Sequence, residues 1–402
     1  MRISTQMIQQ NGAAGLSSTQ SKMYQVQQQL ATGRRIDSAA TDPTAAGQVV
    51  ALADAQAQNT AFASAQTQVS NQLSMIDTAL NSAQNVLQSF RQSLVQSGNS
   101  TLSAADRQGV VASMQSEYEQ LIGLANSRDP NGNYLFAGFN QSSAPFTATA
   151  TGARYNGDQG SQQVQVSTGS AITVSVNGAD LFQRVRDGNG TFSITPAASN
   201  TGTGVPDAGT LSDRSLLTGD NYSIAFSQVG AQMQYSVTDQ TTGTVVVAAA
   251  GFSAGDAISF EGIALNISGA PAAGDTFNVA PSVNRDVFSA MKTAIGLAGN
   301  APSGAAAQAL NGAAISSSLQ YVDQALNALL AQRATVGAQM QELSSLKTMN
   351  GTISTGLQST LSTLRDVDYP TAISQYAAAQ TAYQAAQASY AKIVQLSLFS
   401  QL

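Results

Sequence analysis

Two acidic pairs are the residues whose type and spacing could do chemistry: Asp366 with Asp368, and Glu117 with Glu119. An Asp-x-Asp pair opens a calcium loop only when Gly stands sixth and a bidentate Glu twelfth. Counting from Asp366, those places hold Thr371 and Ala377, so no metal ligands are expected. Glu117 and Glu119 lie two apart on a helix-coded stretch, so they point to different faces and form no catalytic dyad. Gly188-Asn189-Gly190 and Gly202-Thr203-Gly204 lack both the following Lys-Ser/Thr and the strand-to-helix setting of a phosphate loop, and they read as turns. Tyr376, Tyr383 and Tyr390 recur every seven residues, a stripe that fits helix packing better than a ligand-stacking platform. The 402 residues include no His and no Cys, which removes the Ser/His/Asp relay, the cysteine nucleophile and the zinc cluster together. The expectation is a protein with no catalytic, cofactor-binding or metal residues, and not an enzyme.

Charge narrows the partners. Charged residues are 10% of the chain against roughly 25% in an average domain. A net charge of -6 argues against a phosphate backbone as ligand, because that contact needs clustered Lys and Arg. The longest strictly apolar stretch, Val245 to Ala250, falls far short of the roughly 20 residues of a spanning helix. No nucleic acid or membrane partner is expected. Arg2 is followed by Ser4, Thr5 and Gln6 where a secretory signal would turn apolar, so export is expected by another route.

What must position these residues is a pair of helix-coded flanks around a β-coded centre. The N-terminal segment carries Met7, Ile8, Leu16, Met23, Val26 and Leu30 among many Gln. Thr32-Gly33 stops it, and Asp42-Pro43 starts the next helix with an N-cap and a proline at the first helical position. That helix has an unbroken 4-3 seam, Val69, Leu73, Ile76, Leu80, Ala83, Leu87, Phe90 and Leu94, which predicts a long coiled-coil rod. After Gly98-Asn99-Ser100 a second helix places Val111, Met114, Tyr118, Leu121 and Ala125 on one face. Asp129-Pro130-Asn131-Gly132 then predicts a tight β turn.

From 146 to 283 short alternating strands predict one or two antiparallel β modules, with Ser199 to Gly209 read as a linker between them. Helix returns near Val287, and the seam Ile315, Leu319, Val322, Leu326, Leu329, Arg333, Val336, Met340, Leu343 is expected to pair with the first rod. Arg333 breaks this seam, and Asn350-Gly351 reads as its weak point. Pro370 forbids one continuous helix, so 366–370 is read as a joint. A final seam runs Ile373, Tyr376, Gln380, Tyr383, Gln387, Tyr390, Val394.

The fold class is therefore α+β, with paired N- and C-terminal coiled-coil helices forming a rod and an antiparallel β-rich insertion. The expected division is a terminal assembly domain (1–42 with 366–402), a helical rod domain with its β turn (43–145 with 284–365), and the β-rich domain (146–283). The terminal helices are the functional part of this reading. The few apolar side chains of the N-terminal segment return less than ordering its backbone costs, so the C-terminal seam, other copies or another protein must cover it. Ile3, Met7, Met23, Val26, Leu30, Ile373, Tyr376, Tyr383, Tyr390, Val394, Leu398 and Phe399 are the candidate assembly residues.

An ordered set of motifs across both flanks resembles the flagellin family. It comprises Arg2-Ile3-Ser4-Thr5, Gln29-Leu30-Ala31-Thr32-Gly33-Arg34-Arg35-Ile36 with Asp42-Pro43, Tyr134-Leu135-Phe136-Ala137-Gly138, Asp366-Val367-Asp368-Tyr369, and Ser397-Leu398-Phe399. In the centre, Gly274-Asp275-Thr276-Phe277-Asn278-Val279 is similar to a β module of flagellar junction proteins. The resemblance marks Arg34, Arg35, Ile36, Asp42, Pro43, Asp366, Asp368 and Tyr369 as motif residues.

It also implies an extracellular axial protein of the bacterial flagellum, exported unfolded by the type III apparatus and polymerised at the junction of hook and filament. The implied partners are other copies in a ring or short helical zone, a neighbouring junction protein, flagellin and an export chaperone. A filament flagellin is the alternative within the family. Filament flagellins usually open with a stretch like I-N-T-N and close on arginine, whereas this chain opens Met1-Arg2-Ile3-Ser4 and closes Leu398-Phe399-Ser400-Gln401-Leu402. A secreted adhesin displaying its β region is the alternative outside it.

Overall fold

The computed structural model describes residues 5–36, 38–40 and 42–399. Helices α1 (Thr5–Thr32), α2 (Pro43–Ser97) and α3 (Ala104–Ala125) come first. Two hairpins follow, β1 (Phe146–Thr149) with β2 (Gly152–Tyr155) and β3 (Gln163–Ser167) with β4 (Ser170–Thr173). Then come a short helix α4 (Gly178–Phe182) and strand β5 (Val185–Arg186). Nine strands form the next module: β6 (Phe192–Pro196), β7 (Val205–Pro206), β8 (Thr210–Leu211), β9 (Tyr222–Val229), β10 (Gln232–Asp239), β11 (Val245–Gly251), β12 (Ala257–Phe260), β13 (Ile263–Ser268) and β14 (Thr276–Pro281). Strand β15 (Asn284–Arg285) pairs back with β5, and helices α5 (Val287–Gly299), α6 (Ala305–Arg365) and α7 (Tyr369–Phe399) complete the chain.

The chain divides into two compact units, residues 1–66, 166–168 and 345–402 on one hand and 67–165 with 169–344 on the other. The division cuts α2 and α6 partway along rather than at the joint near 366. The larger unit has a dense core. All eight seam residues of α2 from Val69 to Leu94 are at most 2% exposed, and Ile315, Val322, Leu329, Val336 and Leu343 of α6 are buried as well. Arg333 does not break the pairing. Its guanidinium reaches across to Asp77 Oδ1 at 3.0 Å and Gln84 Oε1 at 2.9 Å, while Arg91 meets Asp323 at 2.6 Å. The α3 stripe starts at Val110 rather than Val111, and Ser103 caps that helix by accepting from the Asp106 amide at 3.1 Å. Phe146, Phe182, Phe288 and Tyr118 cluster between α3, α4, α5 and the first hairpin, Tyr118 with Phe288 and Phe146 with Phe182 edge to face and the other two pairs tilted.

The nine-strand module is a sandwich. One sheet runs β11-β10-β9-β14-β6, all antiparallel, and the other runs β12-β13-β7 with β8 also on β13. Alternate residues Tyr222, Ile224, Phe226 and Phe277 of the first sheet share a core with Ile258, Phe260 and Leu265 of the second, as period-two strands dictate. The stretch 199–209, read above as a linker, belongs to this sandwich. Asp275, 2% exposed, accepts from the Thr201 and Gly202 amides at 2.8 and 3.0 Å, and Asn200 exchanges two 2.9 Å hydrogen bonds with Thr276. Composition marked a loop, and buried polar partners immobilise it. The module's true neck is the β5–β15 pair, where Asp187 accepts from the Val283 amide at 2.9 Å.

Candidate assembly interface

In the smaller unit α1 and α7 pack antiparallel, because residues near the start of one meet residues near the end of the other. A Cβ added to Gly12 would lie 3.0 Å from the Tyr390 ring and 3.8 Å from Ile393, so glycine there lets the ring lie against the α1 backbone. At the opposite end Gly33 takes φ +69 beside the Tyr369 hydroxyl. The α1 face carries Gly12, Leu16, Thr19, Met23, Val26 and Leu30 at three- and four-residue steps; the α7 face carries Ala372, Tyr376, Ala379, Tyr383, Ala386, Tyr390 and Ile393. The tyrosine stripe is therefore packing.

The seam differs from the sequence reading at its intermediate positions. Ala379 and Ala386 occupy them rather than Gln380 and Gln387, and Ile373 turns outward at 57% exposed. Alanine is small enough to let the α1 backbone approach, whereas glutamine at the same place would strand an amide. Of the candidate residues, Met23, Val26, Leu30, Tyr376, Tyr383, Tyr390 and Val394 are buried or half-buried, while Met7 is exposed. Ile3 and the side chains of Leu398 and Phe399 lie outside the described residues.

The joint brings the two flank motifs together. Arg34 and Asp366 form an antiparallel bridge, the Arg35 amide donates to Arg365 O at 2.7 Å, and the Val367 amide donates to Gly33 O at 2.9 Å. Arg35 also spends its guanidinium here, donating to Leu364 O at 2.7 Å. Asp42 caps α2 by accepting from the Ala45 amide at 2.9 Å, with Pro43 as the first helical residue; Ile36 is half-buried. Asp368 accepts from Thr371 Oγ1 at 2.6 Å at the head of α7. Asp366 is held below the usual carboxylate range, chiefly by the Arg365 side chain, then by Ser362 and the charges of Arg365 and Arg34. The acidic pair is thus consumed in capping and pairing, and among the described residues no group of acidic, His or Cys side chains could hold a metal ion.

Two polar contacts were not read from the sequence. Asn59 Nδ2 donates to Asn350 O at 3.0 Å and Asn350 Nδ2 donates to Asn59 O at 3.1 Å, both residues buried. Gln66, 1% exposed, donates to Val166 O at 2.8 Å. The supposed weak point at Asn350-Gly351 is therefore a reciprocal lock inside an unbroken α6. The signal was available: continuing the 4-3 alternation back from Val69 lands on Gln66, Phe62 and Asn59. Among the described residues this unit buries only four apolar side chains, Val26, Ala45, Val166 and Ala372, and leaves Tyr24, Val50, Met349, Ile353, Tyr369 and Ile373 exposed. Such thin burial with so much apolar surface fits a face that other molecules cover.

Comparison with known proteins places the chain. The bacterial flagellin N-terminal helical region matches residues 3–141 and the bacterial flagellin C-terminal helical region matches 319–402. A solved FlgL of Xanthomonas campestris is 31% identical, superposes with a TM-score of 0.70, and is covered over 99% of its length by 77% of this chain. The chain belongs to the flagellar hook-associated protein 3 family. A second solved member, hook-associated protein 3 of Legionella pneumophila, is 26% identical with a TM-score of 0.74 over 98% of its length and 79% of this chain. Flagellar hook-associated protein 3 of Salmonella typhimurium is 36% identical over 185 residues. That match spans 46% of this chain and 58% of the curated relative's length. The sandwich has its own likeness, since residues 195–281 match the D2-like domain of flagellar hook-associated protein 1. The Gly274 to Val279 motif lies inside that span, on the buried Asp275 that ties the module together.

Proposed function

We propose that the protein is a structural axial component of the bacterial flagellum that joins hook to filament by polymerising through its terminal helices. The observation that carries this reading is the smaller unit, which among its described residues buries four apolar side chains and leaves Tyr24, Val50, Met349, Ile353, Tyr369 and Ile373 exposed. A polymer of copies, continued on one side by a neighbouring hook-associated junction protein and on the other by flagellin, covers that surface. The copies form a ring or short helical zone. The sandwich carries no part of this contact and stands as a displayed module. Because the exposed ends are an aggregation hazard in free subunits, an export chaperone covers the C-terminal helix before secretion to the outside of the cell. No catalytic role is assigned: the acidic residues at the joint are engaged in caps and ion pairs.

The test is a strain lacking the whole protein. Cells should retain hooks, lack filaments and shed flagellin monomers into the medium. Normal filaments on those hooks would eliminate the junction role.

A further inference from the structure

Among the described residues no large apolar side chain is more exposed than Phe139, at 66%. A lone aromatic on a loose loop would carry no meaning, but this loop is fixed. The Asp158 carboxylate accepts from the Phe139 and Asn140 amides at 2.8 and 2.9 Å and from the Gly160 amide at 2.7 Å, while the Asp158 amide donates to Ala137 O at 3.1 Å. Gly138 takes φ +73 against that carboxylate, where a Cβ would lie 2.2 Å from Oδ1. The ring lies over Gly160, and a Cβ there would come within 2.0 Å of it. Backbone and ring are thus held in one place, with most of the ring in solvent.

The same unit carries an open apolar hollow of about 360 Å³ between α2, the end of α3 and the loop that follows it. Met75, Ala79, Leu124 and Leu135 wall it. Its hydroxyls are spent locally: Thr78 Oγ1 donates to Ser74 O at 2.8 Å and Ser82 Oγ to Thr78 O at 2.9 Å. Arg128 at the same hollow is engaged over the Tyr134 ring, 4.2 Å from its centroid. Phe139 does not fill the hollow of its own chain, because its ring is committed to Gly160, which is not part of the lining.

We propose that Phe139 of one copy inserts into the hollow walled by Met75, Ala79, Leu124 and Leu135 of the next copy in the polymer. A preformed aromatic knob entering an apolar pocket suits the centre of a protein contact, since the ring buries much area and little freedom is lost on binding. A second copy is the occupant because this chain supplies both halves, one knob and one hollow per copy, as a contact repeated along a polymer requires. Knob and hollow are different surfaces, so the contact is heterologous and runs head to tail into a ring or an open helix instead of closing as a two-fold dimer. The inference rests on the polymerising role proposed above and adds a contact in the larger unit to that of the terminal helices.

The test uses the deletion strain and the absence of Cys from the chain. Ser74 lines the hollow and Asn140 adjoins the knob, and both are exposed. A chain carrying Ser74→Cys with Asn140→Cys should give, in isolated flagella under a mild oxidant, a disulfide-linked ladder that rises beyond the dimer. Either cysteine alone should give monomer. Adding Phe139→Ala, or Thr78→Trp to block the hollow, should cut the ladder at least ten-fold, the loss expected when one buried phenyl group is removed from a contact. Phe139 and Thr78 are exposed, so the purified variants should melt as the parent does. No ladder from the double-cysteine chain, a ladder undiminished by Phe139→Ala or Thr78→Trp, or dimers from a single cysteine would overturn the contact. Filaments on the uncomplemented strain would instead overturn the junction role itself.

Discussion

Leu80→Ala and Tyr383→Ala should separate the folded core from the assembly face. Leu80 is fully buried on α2, between Asp77 and Gln84, the two residues that Arg333 of α6 reaches at 3.0 and 2.9 Å. The two helices therefore meet at that level, and truncation leaves a cavity in a site with little room to collapse. A buried Leu→Ala costs about 3–5 kcal/mol. At roughly 2–4 °C per kcal/mol for units of this size, the melting transition of the larger unit should fall by about 6–20 °C. Tyr383 is half-buried in the α1–α7 face of the smaller unit, so its truncation should leave that transition in place while filaments per hook collapse. Calorimetry on purified monomer, with filament counts from the complemented deletion strain, gives both readings. The reasoning fails if the two variants lower the same transition equally, or if Leu80→Ala costs less than about 1 kcal/mol.

Three further outcomes are expected. Burial raises the Glu117 carboxyl above its ordinary range, partly opposed by the Ser93 hydroxyl that donates to it at 3.1 Å, and its second oxygen is buried without a partner. A raised folded-state value means the stabilising contribution is complete below the unfolded value near 4.3 and is lost as pH rises through the folded one. Glu117→Gln should therefore raise the melting temperature at neutral pH and lose that advantage in acid; an advantage independent of pH would refute the assignment. Replacing Asn59 and Asn350 together by Leu should not lower thermal stability, since apolar residues often match a buried polar pair, but should impair assembly by loosening helix register. Lower stability with normal filaments would reverse that view. Amide exchange on monomeric protein should be fast across α1 and α7 and slow in α2 from Val69 to Leu94; slow exchange in the terminal helices would contradict their dependence on neighbours.

Legibility followed side-chain size. The seams Val69 to Leu94 and Ile315 to Leu343 use large apolar residues against polar flanks, so their period stands out in the sequence and their burial follows. The α7 seam was legible only at its tyrosines. Ala379 and Ala386 sit in a helix where alanine also fills the exposed face, so no periodicity distinguishes them from Ala378 or Ala385. Asn350 and the 199–209 stretch failed for a related reason. Polar, glycine-bearing segments look like breaks unless their distant partners, Asn59 and Asp275, are in view.

Local chemistry was enough to determine the element types, the N-cap at Asp42, the joint before Pro370, and the absence of imidazole and thiolate chemistry. These depend on neighbours within a few residues or on composition. Tertiary structure decided which faces of α1 and α7 meet, that Arg333 and Asn350 bridge rather than interrupt, and that Asp42, Asp366 and Asp368 at the joint are engaged. Each of those outcomes depends on hydrogen bonds and contacts between residues hundreds of positions apart, such as Asn59 with Asn350 and Arg35 with Leu364. Such partners carry no local signature, because whether a polar side chain is stranded or satisfied is settled only when the distant backbone arrives.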